Sequence, residues 1–373
     1  MLPHVSKEVT SRRKLPNLLV MRHRAVVVAL CFVAACAHPA SALTVTAAPS
    51  APSPSATSGP GATTSHATIS AASRRTASPA AIAAIATPLP TPPPIGASVG
   101  GCQLFPADNA WRTDISAASV DPNSANYVAS ITAGGSGYLH PDFGSNKTYG
   151  IPFIVVPKSE PKIPIHFTLY GDQSDKGPYP VPLSAPIESG SDHHVLAVQK
   201  GTCKLYEMYA AVRKTDHWNA GSGAVFDLNS DALRPAGWTS ADAAGLPILP
   251  GLVRRSEIAQ GVINHALRFT APHTQRGYVD PARHYASSST DPNLPPMGLR
   301  LRLKASFDLS GYHGASLIIL TALKKYGMIL ADNGSSWYIS GATDTGWDDT
   351  DLNQMKTVPG TAFEVVQHGP IHS

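Results

Sequence analysis

Histidine is the residue type in this 373-residue chain that most directly suggests chemistry. Eleven of the fifteen histidines follow residue 100, and three of these, His194, His265 and His284, lie on or beside apolar segments. An imidazole there needs a hydrogen-bonding carboxylate or a metal as its partner. We therefore treat the three histidines as candidate acid–base residues. A divalent metal held by all three is an alternative, although their spacing matches no ligand signature, and three structural histidines with satisfied hydrogen bonds are the simplest alternative.

Two carboxylates at the ends of predicted strands complete the candidate catalytic set. Asp192 precedes the apolar run HVLAV, and Asp332 ends the run GMILAD. Glu207 lies on the second strand of a predicted hairpin that begins with HVLAV. Carboxylates on one concave surface can serve as the acid and the base or nucleophile of a glycosidase. The alternative is that each is a solvated or salt-bridged strand residue, and Asp332-Asn333-Gly334 is also an ordinary turn signal.

The segment 233–257 is too long and too rich in apolar residues to be a simple connection within a β domain. We expect it to pack over the sheets as a lid beside a binding groove. Trp238 would then be a stacking platform for a sugar, with Arg234 and Asp242 as polar contacts. The alternative is a structural flap that covers one sheet.

The elements that must position these residues are short segments in which apolar and polar residues alternate, as in half-buried strands. The clearest is 297–308, where Arg300, Arg302 and Lys304 should share a solvated face. That face would contact an acidic polysaccharide, with Lys304 as a substrate-binding residue, or would simply be exposed. The other predicted strands are 151–156, 163–170, 194–198, 204–212, 223–228, 262–270, 327–332 and 336–340.

Helices are predicted at two places. Leucines at near-helical spacing predict a helix over 315–326, and Gly327 suits its C-terminal end. A short helix is predicted to begin in the acidic run after Trp347, because carboxylates stabilise a helix N-terminus. Short strands separated by turn residues, with one or two short helices, indicate a mainly β protein. We predict a single β-sandwich or jelly-roll-like domain over 101–373.

Cysteine content and charge narrow the function classes. Cys102 and Cys203 are the two cysteines of the predicted domain and should form one disulfide in an oxidising compartment. The same segment has 21 Lys and Arg against 24 Asp and Glu, a net charge near −3, which disfavours nucleic-acid binding. The sequence has no serine-hydrolase elbow, Walker loop, dinucleotide fingerprint or HExxH motif, so no cofactor is predicted.

The N-terminal segment predicts export. An apolar run over 25–35 follows Arg22 and Arg24, as in a signal peptide, which we place at 1–36 with Met21 as an alternative start. We therefore expect the protein to be extracellular or on the cell surface.

Two cleavage sites compete at the end of that segment. One follows the small-residue triplet that ends at Ala42, and the other is a lipobox in which Cys36 would carry a lipid, its only attachment to a membrane. Residues 37–100 are rich in Ala, Ser, Thr and Pro and almost uncharged, which predicts a disordered tether.

Seven segments together resemble a family of exported bacterial proteins. They are DHHVLAV, CKLYEMY, LRPAGWTSADAAGLPILPGLVRRSEIAQG, HALRFT, PARHYAS, PPMGLRLRLKASFD and ALKKYGMILADNGSSW. The resemblance covers nearly all of 101–373 and implies one recurrent unit. It implies no activity and assigns no role to any residue.

Export, β patterning, a long Trp-bearing segment and polar groups at strand ends together favour a carbohydrate-active protein. The leading hypothesis is a glycoside hydrolase or other enzyme that cleaves an extracellular polysaccharide. The first alternative is a non-catalytic module that binds a glycan or the cell wall through Trp238, Trp337 and Trp347. The second is a metal-dependent enzyme that uses His194, His265 and His284.

Overall fold

The computed structural model describes residues 98–373. The predicted signal peptide, lipobox and most of the tether lie outside the described residues. Within residues 98–373 the chain forms fifteen strands and four α-helices. The helices are α1 (Ser124–Ala133), α2 (Arg255–Gln260), α3 (Gly314–Lys325) and α4 (Asp349–Asn353). The strands are β1 (Ser98–Val99), β2 (Cys102–Gln103), β3 (His140–Asp142), β4 (Phe153–Val156), β5 (Ile165–Phe167), β6 (Val195–Gln199), β7 (Lys204–Tyr209), β8 (Val212–Arg213), β9 (Trp218–Ala220), β10 (Ser222–Asp227), β11 (Leu267–Ala271), β12 (Arg300–Leu303), β13 (Met328–Asn333), β14 (Tyr338–Ser340) and β15 (Phe363–Val365).

The strands form several sheets, so the prediction of a mainly β protein is confirmed. The largest sheet has six strands in the order β15-β12-β13-β11-β14-β3, and the next has four in the order β10-β7-β6-β4. A three-stranded sheet has the order β5-β9-β8, and β1 pairs with β2. The two larger sheets are mixed, since β11 runs parallel to β13, β14 to β3, and β4 to β6.

The four-stranded sheet is buried on both faces, which explains the continuous apolar run of β6. Val195 and Ala197 point to a cluster that contains Trp218 of the three-stranded sheet. Leu196 and Val198 alternate with them and point to the main core, which contains the buried residues of the six-stranded sheet. Because successive side chains of a strand point to opposite faces, the four-stranded sheet lies between two apolar layers.

The predicted disulfide between Cys102 and Cys203 is confirmed. It joins β2 to the turn of the β6–β7 hairpin, across 101 residues of sequence, with the two Cα atoms 5.3 Å apart. A crosslink over so long a loop stabilises the fold mainly by restricting the unfolded chain.

Both predicted helices are present. Helix α3 ends at Lys325, and Gly327 has a φ of 67°, which is a left-handed conformation that glycine adopts readily. Asp348 caps α4 by accepting hydrogen bonds from the backbone N–H groups of Thr350 and Asp351. None of the helices in residues 98–373 is long and apolar enough to cross a bilayer.

Helix α1 was not predicted, because its sequence SANYVASITA is rich in Ser, Thr and β-branched residues, which are modest helix formers. Tertiary packing stabilises it instead. Tyr127, Val128 and Ile131 are buried in the main core, and the side chain of Ser124 accepts a hydrogen bond from the backbone N–H of Val365.

The expectation of a solvated strand over 297–308 is wrong in two respects. The strand is short, covering only β12, and Arg302 is buried, with an ion pair to Glu364 of β15 at 2.9 Å. Arg300 donates hydrogen bonds to the carbonyl oxygens of Ala110 and Tyr326. These two arginines therefore do not form a solvated face. They hold other segments against the sheet, because buried carbonyl groups need hydrogen-bond donors.

Candidate functional site

A β-bulge determines where Asp332 points. Phe269 of β11 lies opposite Leu330 of β13, but the next residue, Thr270, lies opposite Asp332, so Ala331 is the extra residue. Opposed residues share a face of a sheet. The bulge therefore turns the Asp332 carboxyl to the side of Thr270, away from the buried side of Phe269, and bulges of this kind are frequent next to active sites.

Arg268 is the buried cation beneath this face. Its Nε and Nη2 each lie 2.8 Å from a different oxygen of Asp242, and its Nη1 donates to the Ser340 hydroxyl at 2.7 Å. Asp332 Oδ2 is 3.4 Å from the same Nη2. One guanidinium thus contacts two carboxyl groups: it forms a bidentate pair with Asp242 and a longer, weaker contact with Asp332.

The ionisation of Asp332 follows from that imbalance. Burial and the negative charge of Asp242 raise the pKa of Asp332 to about 7, although Arg268 opposes the rise. The Asp192 charge acts in the same direction as that of Asp242. A carboxyl that holds its proton up to neutral pH can donate it to a substrate.

Asp192 and Asp332 line two adjoining cavities of about 220 and 240 Å³, which also share Asn333. We call these the first and second cavities, and together the groove. Their combined volume falls within the range of roughly 300–1,000 Å³ that small-molecule sites occupy. Tyr170 and Tyr209 line the first cavity.

His284 also lines the first cavity. Its Nδ1 lies 2.8 Å from the carbonyl oxygen of Ala243, which can only accept, so Nδ1 carries a proton. Among the described residues, Nε2 has no hydrogen-bond partner. In the neutral ring, Nε2 is therefore the acceptor that can take a proton or a hydroxyl hydrogen bond in the groove.

His194 lines the second cavity but has both ring nitrogens bonded. Nδ1 lies 2.6 Å from Glu188 Oε2, and Nε2 lies 3.0 Å from the Ala241 carbonyl oxygen. Burial disfavours the charged ring, yet the hydrogen bond to Glu188 and its charge outweigh this and raise the pKa of His194. His194 thus fits a buried cation that holds the 188–194 segment in place at the groove wall.

His265 lies away from the groove, in a sealed cluster with Arg254 and Glu257. Its Nε2 is 3.0 Å from Glu257 Oε1, and its Nδ1 is 2.7 Å from the Ala266 carbonyl oxygen. His265 precedes β11, because the strand predicted over 262–270 begins only at Leu267. The three predicted histidines do not converge, and within residues 98–373 no three His, Cys, Asp or Glu side chains are arranged to hold a metal ion.

The segment 233–257 was expected to be a lid beside a groove, but most of it is buried in the molecule, and only its residues 239–243 line the first cavity. Residues 239–254 are almost all buried, and Leu246, Ile248 and Leu249 belong to the main core. Glu207 of β7 accepts hydrogen bonds from the backbone N–H groups of Ile248 and Leu249 at 2.9 to 3.0 Å. The apolar run is therefore a core segment, tied to the four-stranded sheet by a buried carboxylate.

The four predicted substrate-binding residues have different surroundings. Asp242 lines the first cavity but is fully engaged with Arg268. Arg234 forms an ion pair with Asp175 and lies 5.7 Å from the centre of the Trp238 ring, and neither Arg234 nor Trp238 lines the groove. Lys304 donates to the Thr361 carbonyl and lines a separate cavity beside α1.

The tryptophan surface predicted for a binding module does not form. Trp337 is fully buried and stacks on Phe363, and Trp347 is buried against Phe143. Tyrosines line the groove instead. Tyr170 keeps 42% of its surface exposed at the first cavity.

Sequence reasoning missed Arg268 and Glu188, which set the charge of the groove. An arginine at the centre of the apolar strand HALRFT is a signal that could have found Arg268, because a cation buried in a strand requires a carboxylate partner. Glu188 lies in an irregular segment and carries no comparable signal.

Comparisons with protein-family models, with curated proteins and with solved structures found no match to this chain. We therefore infer the function from the geometry of the groove.

Proposed function

We propose that this protein is an exported carbohydrate-active enzyme that hydrolyses glycosidic bonds of an extracellular polysaccharide. The observation that carries the proposal is the groove in which Asp332, with a pKa raised by burial to about 7, is accompanied by a second carboxyl group, Asp192. Glycosidases need one carboxyl that donates a proton and one carboxylate that acts as base or nucleophile.

In this proposal Asp332 is the general acid. It protonates the leaving glycosidic oxygen, and the carboxylate that results gains the attraction of the Arg268 guanidinium, whose Nη2 lies 3.4 Å away. Arg268 is already held by Asp242 and Ser340 at 2.7 to 2.8 Å, so it does not have to move when the proton leaves. A preorganised charge of this kind stabilises the transition state more than a mobile one.

Asp192 is the candidate base or nucleophile, because it lines both cavities with Asp332. His284 Nε2 is placed in the first cavity to accept a sugar hydroxyl or to share the proton transfer. Substituting Asp192 and His284 separately distinguishes which of the two acts as the base or nucleophile.

A non-catalytic glycan-binding module is the second candidate. The observation that favours it is the tyrosine lining of the first cavity by Tyr170 and Tyr209, since aromatic rings pack against the apolar faces of sugars. In this alternative the groove binds a polysaccharide and releases no product.

We also propose that the protein is secreted through the predicted signal peptide and acts outside the cell or at its surface. The disulfide between Cys102 and Cys203 supports an oxidising location. The shared apolar core between the four-stranded and six-stranded sheets supports a sandwich-like architecture for the domain.

The test measures release of reducing ends from named polysaccharides: xylan, mixed-linkage β-glucan, hydroxyethylcellulose, pectin and alginate. We expect activity on at least one, reduced about 10²- to 10⁴-fold by Asp332→Asn or Asp192→Asn. The matched control is Asp344→Asn, because Asp344 is an exposed carboxyl that pairs with Arg255 on the surface.

Binding of one of these polymers without any product would favour the binding module. Undiminished turnover in both Asp332→Asn and Asp192→Asn would show that the groove carboxyls are not catalytic.

A further inference from the structure

A row of four side chains crosses the six-stranded sheet and begins at Asp332. Thr270 lies opposite Asp332, Tyr338 lies opposite Thr270, and His140 lies opposite Tyr338. Opposed residues share a face, so all four point to the same side of β13, β11, β14 and β3. Neighbouring strands are roughly 4.7–4.9 Å apart, which makes the row about 14 Å long.

The residues on the other side of these strands are buried. These residues are Leu330, Phe269, Ile339 and Pro141, all of which are buried. Asp332, Thr270, Tyr338 and His140 are each only partly buried. The row is therefore the accessible face of an otherwise enclosed sheet, and the edge strand β3 leaves it open at one end.

A third cavity continues the groove along this row. It has a volume of about 450 Å³ and shares Asp142 and Tyr338 with the second cavity. His140 stacks on Tyr338 with the ring centres 4.2 Å apart. At this end Tyr149 lines the cavity with 54% of its surface exposed. Three adjoining cavities thus run from Tyr170 to Tyr149, with Asp332 between them.

The lining of the three cavities carries more negative than positive groups. Carboxyls outnumber cations, and the carboxyls are Asp142, Glu188, Asp192, Asp242, Asp332 and Asp349. Arg268 pairs with Asp242 and His194 pairs with Glu188, and burial raises the pKa of both Asp142 and Asp332. The remaining carboxylates of the lining are Asp192 and Asp349, and they face one exposed cation of the lining, Lys356. Burial and the nearby Lys356 lower the pKa of His140, so its ring is neutral at neutral pH.

We propose that the row binds a neutral glycan chain over at least three consecutive sugars, from Asp332 across Tyr338 and His140 to Tyr149. Hydroxyl groups of a neutral sugar can donate to the carboxyl oxygens, whereas an acidic glycan would be repelled by the unpaired carboxylates Asp192 and Asp349. A chain bound on both sides of Asp332 would be cut internally. The inference rests on the proposed function in taking Asp332 as the reacting end.

The experiment is affinity electrophoresis of the full chain carrying Asp332→Asn, which prevents cleavage of the polymer during the run. The gels contain hydroxyethylcellulose, xylan or mixed-linkage β-glucan as neutral probes, and pectin or alginate as acidic ones. The second substitution is Tyr149→Ala. Its matched control is Tyr138→Ala, because Tyr138 is 49% exposed and lines none of the three cavities.

We expect at least one neutral polymer to retard the protein and the acidic polymers to retard it much less. Tyr149→Ala should weaken that retention about 3- to 10-fold, as expected for loss of one aromatic contact, while Tyr138→Ala leaves it unchanged. Equal retention by acidic polymers, equal behaviour of the two tyrosine variants, or no retention by any polymer would overturn the inference.

The two proposals fail separately. If Tyr149→Ala weakens binding of a neutral polymer but Asp332→Asn leaves hydrolysis undiminished, the binding row stands and the proposed acid is wrong. If Asp332→Asn abolishes hydrolysis but Tyr149→Ala binds as well as Tyr138→Ala, the acid stands and the extended row is wrong.

Discussion

Two buried clusters in this protein use the same residue types, yet their carboxyls ionise in opposite ways. In the sealed cluster, Arg254 Nη2 lies 2.5 Å from Glu257 Oε1, and His265 approaches the same oxygen at 3.0 Å. Burial opposes ionisation there, but the charges of Arg254 and His265 prevail and lower the pKa of Glu257 to about 2. In the groove, burial raises the pKa of Asp332 to about 7.

The difference comes from the ratio of carboxyls to cations. Glu257 is one carboxylate with two partners, while Asp242 and Asp332 share Arg268. Access differs as well, since the three side chains of the sealed cluster are each only 2% exposed, and Asp332 is 20% exposed. A carboxylate with enough cationic partners stays ionised and stabilises the fold. A carboxyl at a cavity that must share its cation keeps its proton to higher pH, as a proton donor needs.

The largest expected effect follows from breaking the matched cluster. Arg254→Met removes the guanidinium that pairs with the buried Glu257 and its hydrogen bonds to the carbonyl oxygens of Leu249 and Leu252. We expect the free energy of unfolding to fall by about 3–5 kcal/mol in denaturant titrations. Arg255→Met is the control and should cost less than about 1 kcal/mol, because Arg255 is 48% exposed. Similar losses in the two variants would contradict the assignment.

A smaller expected effect on stability distinguishes His265 from His284. His265→Leu removes a buried partner of Glu257 and should lower the free energy of unfolding by about 1–3 kcal/mol without affecting the groove. His284→Leu should lower hydrolysis or glycan retention and change stability by less than about 1 kcal/mol, since it loses one partly exposed hydrogen bond. Both properties are measured on the same preparations, and a reversal of the two patterns would refute the division of roles.

A third effect, spread over several pH units, is a change in the pH dependence of stability. The folded-state pKa of Asp332 lies above its unfolded value of 3.8, so the folded protein holds a proton that the unfolded chain releases. Stability should therefore fall as pH rises from about 4 to 7, by at most about 1.4 kcal/mol per pH unit for this group. Asp332→Asn should flatten that fall, measured by denaturant titration at several pH values.

Part of the fall in stability with rising pH should remain in Asp332→Asn, because burial also raises the pKa of Glu207 to about 7. Glu257 has the opposite sign: its pKa is depressed, so its contribution is present above about 4.5 and is lost as pH falls toward 2. Glu257→Gln should thus cost stability at neutral pH and little near pH 2. Identical pH profiles for Asp332→Asn and the unsubstituted protein would remove the physical basis of the proposed acid.

The sequence predicted the elements whose local signals agree with their packing. The hairpin of β6 and β7, helix α3 with Gly327 at its end, and the acidic N-terminus of α4 were all predicted from residue types and spacing. Helix α1 was not, because its residues have modest helix propensity and it depends on packing of Tyr127, Val128 and Ile131. The alternation over 297–308 was misleading, since Arg302 is buried like the apolar residues beside it and does not face solvent.

The candidate site was predictable in its carboxyls and only partly in its histidines. Asp192, Asp332, His194 and His284 line the groove as a set, although they come from three distant parts of the chain. His265 shares the same kind of sequence context but lies in the sealed cluster. Residue type and strand position cannot distinguish the two cases, because both put an imidazole beside a buried carboxyl.

The sequence by itself determined the strand and helix segments with strong periodicity, the pair of cysteines that bridge, and the residue types capable of acid–base chemistry. Those properties depend on the identities of neighbouring residues. Only the tertiary structure decided which carboxyl is unmatched. The bulge at Ala331 turns Asp332 toward the groove, and the pairing of Arg268 with Asp242 leaves Asp332 the weaker partner. Both depend on contacts between residues that are distant along the chain, and these contacts set the burial and charge that control ionisation.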